Sequence, residues 1–262
     1  MSFKYLESIR SFELDILLRE IAREKLSGKN VLEIGGGTGW QAKKLIENGY
    51  CVSVIDIPDS IYSRQRIWPI LDYDGNHIPF PNNSFDIVFS SSVLEHISHI
   101  DEFQDEIKRV LNSDGVAIHI VPSGSWRLWT TAVHYPFIIK TISKIAYKKL
   151  WMAAGTKNCS ALEDLLIPQL GRLSKLELLK KAIIPPRHGE VGTAFTEIYH
   201  FSKRGWLKVF ERTGWKIERA FPNRLFYTGH MIMGSSLSIQ FRESLSYVLG
   251  SSCHIFTLKK GN

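Results

Sequence analysis

Four glycines fall within five residues, Gly35, Gly36, Gly37 and Gly39, directly after the apolar run Val31-Leu32-Glu33-Ile34. This stretch limits the fold more than any other in the chain. β-forming residues stop abruptly, and helix-compatible sequence from Gln41 to Glu47 follows, closed by Asn48-Gly49. The pattern predicts strand, tight turn and helix. Glycine in the turn permits unusual backbone angles and lets a ligand lie against bare main chain.

Two ligand classes use such a turn. Dinucleotide enzymes seat a pyrophosphate on the helix N-terminus through G-x-G-x-x-G/A, and Gly37-Thr38-Gly39-Trp40-Gln41-Ala42 fits that string. The acidic Glu33 argues the other way. A carboxylate would repel a pyrophosphate but favours an ammonium or a sulfonium. Residues 31–39 resemble motif I of the class I S-adenosylmethionine (SAM)-dependent methyltransferases, in which an acid precedes G-x-G-x-G. Glu33, Gly35, Gly37 and Gly39 occupy those positions.

The following block carries the resemblance further. Cys51 to Asp56 reads as a second strand ending in an acid, followed by Ile57. A carboxylate at that tip suits two ribose hydroxyls. Asp74 through His96 resembles the methyltransferase type 11 group, with Ile78-Pro79-Phe80, then Ser84-Phe85-Asp86, then Leu94-Glu95-His96. The resemblance implies that Asp74 accepts from the adenine amino group with the Gly75 backbone nearby. It also implies that Ser90 lies beside the methionine part of SAM. Asp86 is read as a strand-entry residue and Leu94-Glu95-His96 as a helix start.

Periodicity predicts a helix over 12–27, a helix over 101–111 and a strand over 116–121. Five strand signals interleaved with helices argue an α/β fold. The expected sheet is doubly wound, mostly parallel and seven-stranded, a Rossmann-like methyltransferase fold with a helical insertion. Its ligand site should lie at the strands' C-terminal edge. Residues 1–125 are expected to form the SAM-binding core, 126–187 a basic, aromatic helical insertion or cap, and 188–262 the rest of the core.

Charge divides unevenly along the chain. The net charge of +7 is a balance of −6 over residues 1–125 and +13 over 126–262, with +8 inside 126–187 alone. Within that segment Trp126, Trp129, Tyr135, Phe137, Tyr147 and Trp151 alternate with Arg127, Lys140, Lys144, Lys148 and Lys149. From Pro136 onward the isoleucines gather on one helical side and Lys140, Lys144 and Lys148 on the other. Such a face suits an interfacial element or a lid over an anionic substrate; the alternative is a solvated helix packed by its isoleucines.

Composition excludes several classes. Three isolated cysteines lack metal-ligand spacing and suit a reducing compartment, and no apolar run is long enough to span a bilayer. A cytoplasmic protein is expected, with peripheral contact to an anionic membrane face as an option. Methyl transfer to a hydroxyl benefits from a general base. His188, flanked by Arg187 and Glu190, is the favoured candidate, with His96 second and His134 and His200 also placed plausibly. Glu197 and His200 could share a metal on a helix, but no third ligand is evident and no metal is expected.

The acceptor class is narrowed by absences. Ser90-Ser91-Ser92-Val93 is not the Asn-Pro-Pro-aromatic of amino-methylating nucleic-acid enzymes, and no Pro-Cys nucleophile is present. The leading expectation is O-methylation of a small molecule, sugar or lipid-linked glycan. An RNA methyltransferase is the enzyme alternative, since a +13 half favours polyphosphate. A non-catalytic SAM-fold partner protein is the other.

Overall fold

The computed structural model describes residues 3–25, 28–153, 184–229 and 236–261. Seven strands form one sheet: β1 (Asn30–Ile34), β2 (Cys51–Asp56), β3 (Leu71–Asp72), β4 (Phe85–Ser91), β5 (Leu111–Pro122), β6 (Trp215–Pro222) and β7 (Cys253–Lys260). Their order is β3-β2-β1-β4-β5-β7-β6. β1 to β5 pair in parallel, while β7 runs antiparallel between β5 and β6. This is the expected doubly wound, mostly parallel architecture. Strand order reverses between β1 and β4, and such a reversal opens a crevice at the strands' C-terminal ends.

Alternation along each central strand builds two cores. Leu32, Ile34, Val88, Ala117 and Phe256 face one side, where they meet Phe103 and Ile107 of α3 (Ile100–Val110) and Trp206 and Phe210 of α6 (Lys203–Arg212). Val31, Ile87, Phe89, Val116, Ile118 and Ile255 face the other. There they meet Leu14, Leu17 and Ile21 of α1 (Phe3–Glu24) and Leu45 of α2 (Trp40–Glu47). Near-continuous apolar strands covered on both faces are what a parallel sheet requires. Asp86 is a strand-entry residue: its carboxylate accepts from the Asn30 amide and from Asn112 Nδ2, tying β1, β4 and β5 at the edge opposite the crevice.

Two expected boundaries shift. The first helix begins at Phe3 rather than residue 12, and Ile9, 1% exposed, already belongs to its buried face. The expected insertion does not start at 126. α4 (Gly124–Ala153) leaves β5 directly, and Trp126, Arg127, Thr130, Thr131 and His134 lie buried along one face of its first turns. Trp126 belongs to the core, and the Trp129 indole donates to the Leu249 carbonyl, so neither joins a basic outer face. Exposure begins near Tyr135, and Lys140 and Tyr147 are exposed. The side chains of Ile142, Lys144, Ile145, Lys148 and Trp151, and the leucine-rich 154–183 stretch, lie outside the described residues.

The buried start of α4 is held by charge. Arg127 Nε lies 2.8 Å from Glu197 Oε2, with side chains 3% and 0% exposed. Glu197 sits in the short helix α5 (Thr196–His200), and its carboxylate also accepts from the amides of His188 and Gly189. Arg127 donates in turn to the carbonyls of Pro186 and Ala194. Replacing one member of such a pair leaves the other charge buried and uncompensated. Glu197→Ala should therefore cost about 3–5 kcal/mol in urea unfolding, far more than an exposed glutamate such as Glu211. A loss below about 1 kcal/mol would mean that the pair does not organise this region.

Candidate functional site

The glycine turn closes where β1 meets α2. Gly35 and Gly36 both donate to the Ile55 carbonyl of β2, and Gly39 donates to Gly36. Gly39 caps α2 in the left-handed region at φ 81°. A Cβ there would lie 2.5 Å from that of Trp68, so glycine is required on two counts. Asp56 fastens the turn: Oδ2 accepts from the Gly37 amide at 2.9 Å and Oδ1 from Ile57 at 2.8 Å. Each oxygen keeps a lone pair for a hydroxyl donor.

β2 and β3 pair Asp56 with Asp72, and the chain then turns at Asp74-Gly75. Asp74 Oδ1 accepts from the Asn76 and His77 amides, which lowers the carboxyl pKa and keeps the group ionised. Gly75, at φ 82°, lies against Ile57, whose side chain is 44% exposed. Asp56, Ile57, Asp74 and Gly75 are thus gathered at one rim. The connection from β2 to β3 lies over the turn: Tyr62 packs on Gly37, and the Ile67 amide donates to Thr38. Neither Tyr62 nor Trp68 was picked out from sequence. Two aromatics in a polar linker, twelve and six residues before Asp74, were the available signal.

Glu33 lies beneath the turn, 2% exposed, accepting from the Ala42 amide at the start of α2. Its second oxygen, Oε2, has no hydrogen-bond partner among the described residues. Burial, with the neighbouring Asp56 charge adding to it, pushes the carboxyl up to about 8 against a partial opposing pull from Arg10. A buried carboxyl with one unpartnered oxygen is tolerated where a cation is to arrive. Arg10 of α1 is the residue that periodicity missed. Its guanidinium donates to Glu13 at 2.7 Å and to Ser91 Oγ at 2.6 Å, placing a cation at the end of β4.

Ser90 needs a correction. Its hydroxyl is fully buried and bonded to His119 Nδ1 at 2.8 Å, on β5. The side chain therefore points into the sheet rather than toward a ligand, since neighbouring strand residues face opposite sides. Ser91 takes the outward position. His119, pushed down to about 3 by burial, stays neutral and serves packing.

The other wall begins two residues after β4. Val93 occupies the space a Cβ on Gly35 would need, so the segment after β4 abuts the glycine turn. Leu94–His96 forms a single 3-10 turn rather than the start of a longer helix. Glu95 is buried there with its side chain 0% exposed, and neither carboxylate oxygen has a hydrogen-bond partner among the described residues. His188 Nε2 lies 3.7 Å and His96 Nε2 3.9 Å from Glu95 Oε1. The two favoured histidines, 92 positions apart in sequence, thus stand together, their ring centroids 4.9 Å apart. His188 also packs edge-on against Trp126 at 4.6 Å. A cavity of about 210 Å³ opens here, lined by Trp126, Arg127, Thr130, Pro186, Arg187 and His188 among others.

Glu197 and His200 are not brought together as a pair. Glu197 is committed to Arg127 and to two amides, while His200 is exposed. His134 is buried in α4. Among the described residues, no helix is long and apolar enough to cross a membrane.

With this geometry in view, comparisons with known proteins agree on the domain. Residues 32–119 match the family described as methyltransferase domain, about a third of the chain. A biotin biosynthesis bifunctional protein, BioHC, of Cellvibrio japonicus is 26% identical over 180 residues, covering 65% of this chain and 35% of its own length. The ubiquinone/menaquinone biosynthesis C-methyltransferase UbiE of Cupriavidus pinatubonensis is 30% identical over 111 residues, covering 38% and 46%. The chain thus spans less than half the length of these curated relatives. Among solved structures, the PH0226 protein of Pyrococcus horikoshii superposes with a TM-score of 0.51 at 14% identity, covering 99% of this chain and 92% of its own. A Listeria monocytogenes protein assigned as a SAM-dependent methyltransferase gives 0.52 at 14%, covering 96% and 100%. At such identity these structures establish the fold alone. The domain's cofactor is SAM, and Glu33, with its unpartnered oxygen, fits the cationic end of that molecule.

Glu33 makes the affinity depend on pH. Below about 8 the carboxyl holds its proton, and binding a sulfonium and an ammonium favours its release. SAM should bind more tightly as pH rises from 6 toward 8, by up to about tenfold per unit, and then level off. Calorimetry in buffers of different ionisation heat should show a proton released at pH 7. In Glu33→Gln the slope should vanish; an unchanged slope would remove Glu33 from the cation site.

Proposed function

We propose that this chain, whose residues 32–119 form a class I SAM-dependent methyltransferase domain, transfers a methyl group to an oxygen of a small molecule, sugar or lipid-linked glycan. The carrying observation is the cavity at Trp126, Arg187 and His188, on the wall that abuts the glycine turn through Val93 and Gly35. SAM supplies a methyl group already activated by its sulfonium. Glu33, Asp56, Ile57, Asp74 and the glycine turn hold the cofactor. The cavity then has to orient an acceptor and exclude water.

A hydroxyl acceptor gives up a proton on methylation, and the Glu95–His96–His188 wall is where the proton leaves. Trp126 supplies an apolar face, and Arg187, 56% exposed and tethered to Glu190, offers a cation for an anionic acceptor. His188→Ala should lower kcat about 10²–10⁴-fold with SAM affinity unchanged. The assay is S-adenosylhomocysteine release over an acceptor panel of hydroxylated acids, sugars and glycan lipids. Equal loss of SAM binding would show that His188 supports the cofactor rather than the acceptor.

The basic character of 126–187 supports an anionic surface as the acceptor's context, either a membrane face or an acidic glycan. Lys140 is exposed, and the segment's balance is +8. Each lysine near an anionic membrane contributes about 1 kcal/mol, and salt weakens it. Lys140→Gln, Lys144→Gln and Lys148→Gln together should reduce flotation with anionic liposomes at low salt and leave SAM affinity unchanged. No effect on liposomes, acidic glycans or RNA would return the segment to a packing role.

A further inference from the structure

We propose that Glu95, His96 and His188 form a binding site for one divalent cation of the borderline class, such as zinc or cobalt. The first argument is the state of Glu95. Its side chain is completely buried, yet neither oxygen accepts a hydrogen bond from any described residue. Native proteins pair buried carboxylates, so one left bare and aimed at two imidazoles is kept for a partner the chain itself does not supply.

Distances point to a metal rather than to a hydrogen-bonded dyad. The imidazole nitrogens stand 3.7 and 3.9 Å from Glu95 Oε1, beyond hydrogen-bond reach, and all three ligand atoms fall within 4.8 Å of one another. Ligands about 2.0–2.2 Å from a tetrahedral ion are separated by roughly 3.4 Å from each other. The trio is thus close to the edges of a coordination polyhedron, and a small inward movement closes it.

The site is also held from outside. The Glu190 amide donates to the Glu95 carbonyl at 3.0 Å. A Cβ on Gly189 would come within 2.7 Å of that same carbonyl oxygen, so glycine alone permits the approach. Glu197 takes the His188 and Gly189 amides while paired with Arg127, and Trp126 and His96 flank the His188 ring. His188 is therefore positioned through its main chain and its ring neighbours, leaving Nε2 uncommitted among the described residues. Support of this kind is what ligating side chains require.

Two imidazoles and one carboxylate select zinc, cobalt, nickel, iron(II) or manganese, and disfavour magnesium and calcium, which take oxygen ligands. His188 lines the cavity, so an open coordination position faces the acceptor. A hydroxyl bound there becomes acidic, its proton passing to solvent. That use of the cation rests on the proposed methyl transfer; its binding does not.

The test uses the full chain, stripped with a chelator and titrated with Co²⁺ and with Zn²⁺ by calorimetry, with Co²⁺ also followed by visible absorption. One equivalent should bind, with low-coordinate cobalt bands. Affinity should fall at least about 100-fold in Glu95→Gln, His96→Ala and His188→Ala, and stay unchanged in His200→Ala. SAM affinity should persist in all four. Because His96 is well exposed, its variant keeps the test valid even if Glu95→Gln fails to fold. A wild-type chain that takes up neither ion, or His96→Ala and His188→Ala chains that bind as wild type does, overturns the site. SAM binding in the same samples shows whether the methyltransferase reading has failed separately.

Discussion

Strand order reverses between β1 and β4, and the rest of the molecule answers to that reversal. The helices after β1 and β4 pass to opposite faces of the sheet, so their connections diverge and leave a crevice at the C-terminal edge. Into that crevice the chain places its least ordinary backbone. Gly35, Gly37 and Gly39 all take positive φ on one side, and Ser92, at φ 56°, follows β4 on the other. Buried apolar residues such as Leu32, Phe89 and Ile118 pack both faces of the sheet behind this edge.

Charge follows the same geometry. Residues 1–125 carry a negative balance, and Glu33 and Asp56 stand at the glycine turn with Asp74 at the rim beside it. On the proposed reading the arriving molecule is cationic at one end and carries donors at its ribose and adenine, so each of these carboxylates would have a complementary group. Arg10 moderates the set. It pairs with Glu13 and reaches Ser91, tying α1 to the end of β4 and partly offsetting the repulsion between Glu33 and Asp56.

The cofactor half was legible in sequence because its residues lie in local motifs. Strand, glycine turn and helix span seventeen residues, Asp56 ends one short recognisable stretch and Asp74 opens another. Nothing comparable announces the acceptor half. Glu95 and His188 are 93 positions apart and meet only because Arg127 and Glu197 fold the 185–197 region back onto the start of α4. The same closure explains the errors. Trp126 and Arg127 look like the leading edge of a basic, aromatic surface, but a loop packed over them makes them core. Ser90 looks like a pocket residue until the pleat assigns it to His119, and Arg10 has no motif because it reaches Ser91 on β4, 81 positions away.

The buried carboxylates separate structure from function. Glu13 is paired with Arg10, Glu20 with Arg219 at 2.6 Å, and Glu197 with Arg127. The Glu20 and Glu197 pairs join elements distant in sequence, the Glu13 pair lies within α1, and each burial is compensated inside the protein. Asp56 is satisfied by two amides of the turn it shapes. Glu33 and Glu95 differ: among the described residues, they alone of the buried acids keep oxygens without partners. Both lie at the crevice, one under the turn that ends β1 and the other just beyond β4. An uncompensated buried acid lowers stability, and among the described residues the fold accepts that cost at these two positions. On the proposed reading each would take positive charge, the cationic end of SAM on the β1 side and a metal cation on the β4 side.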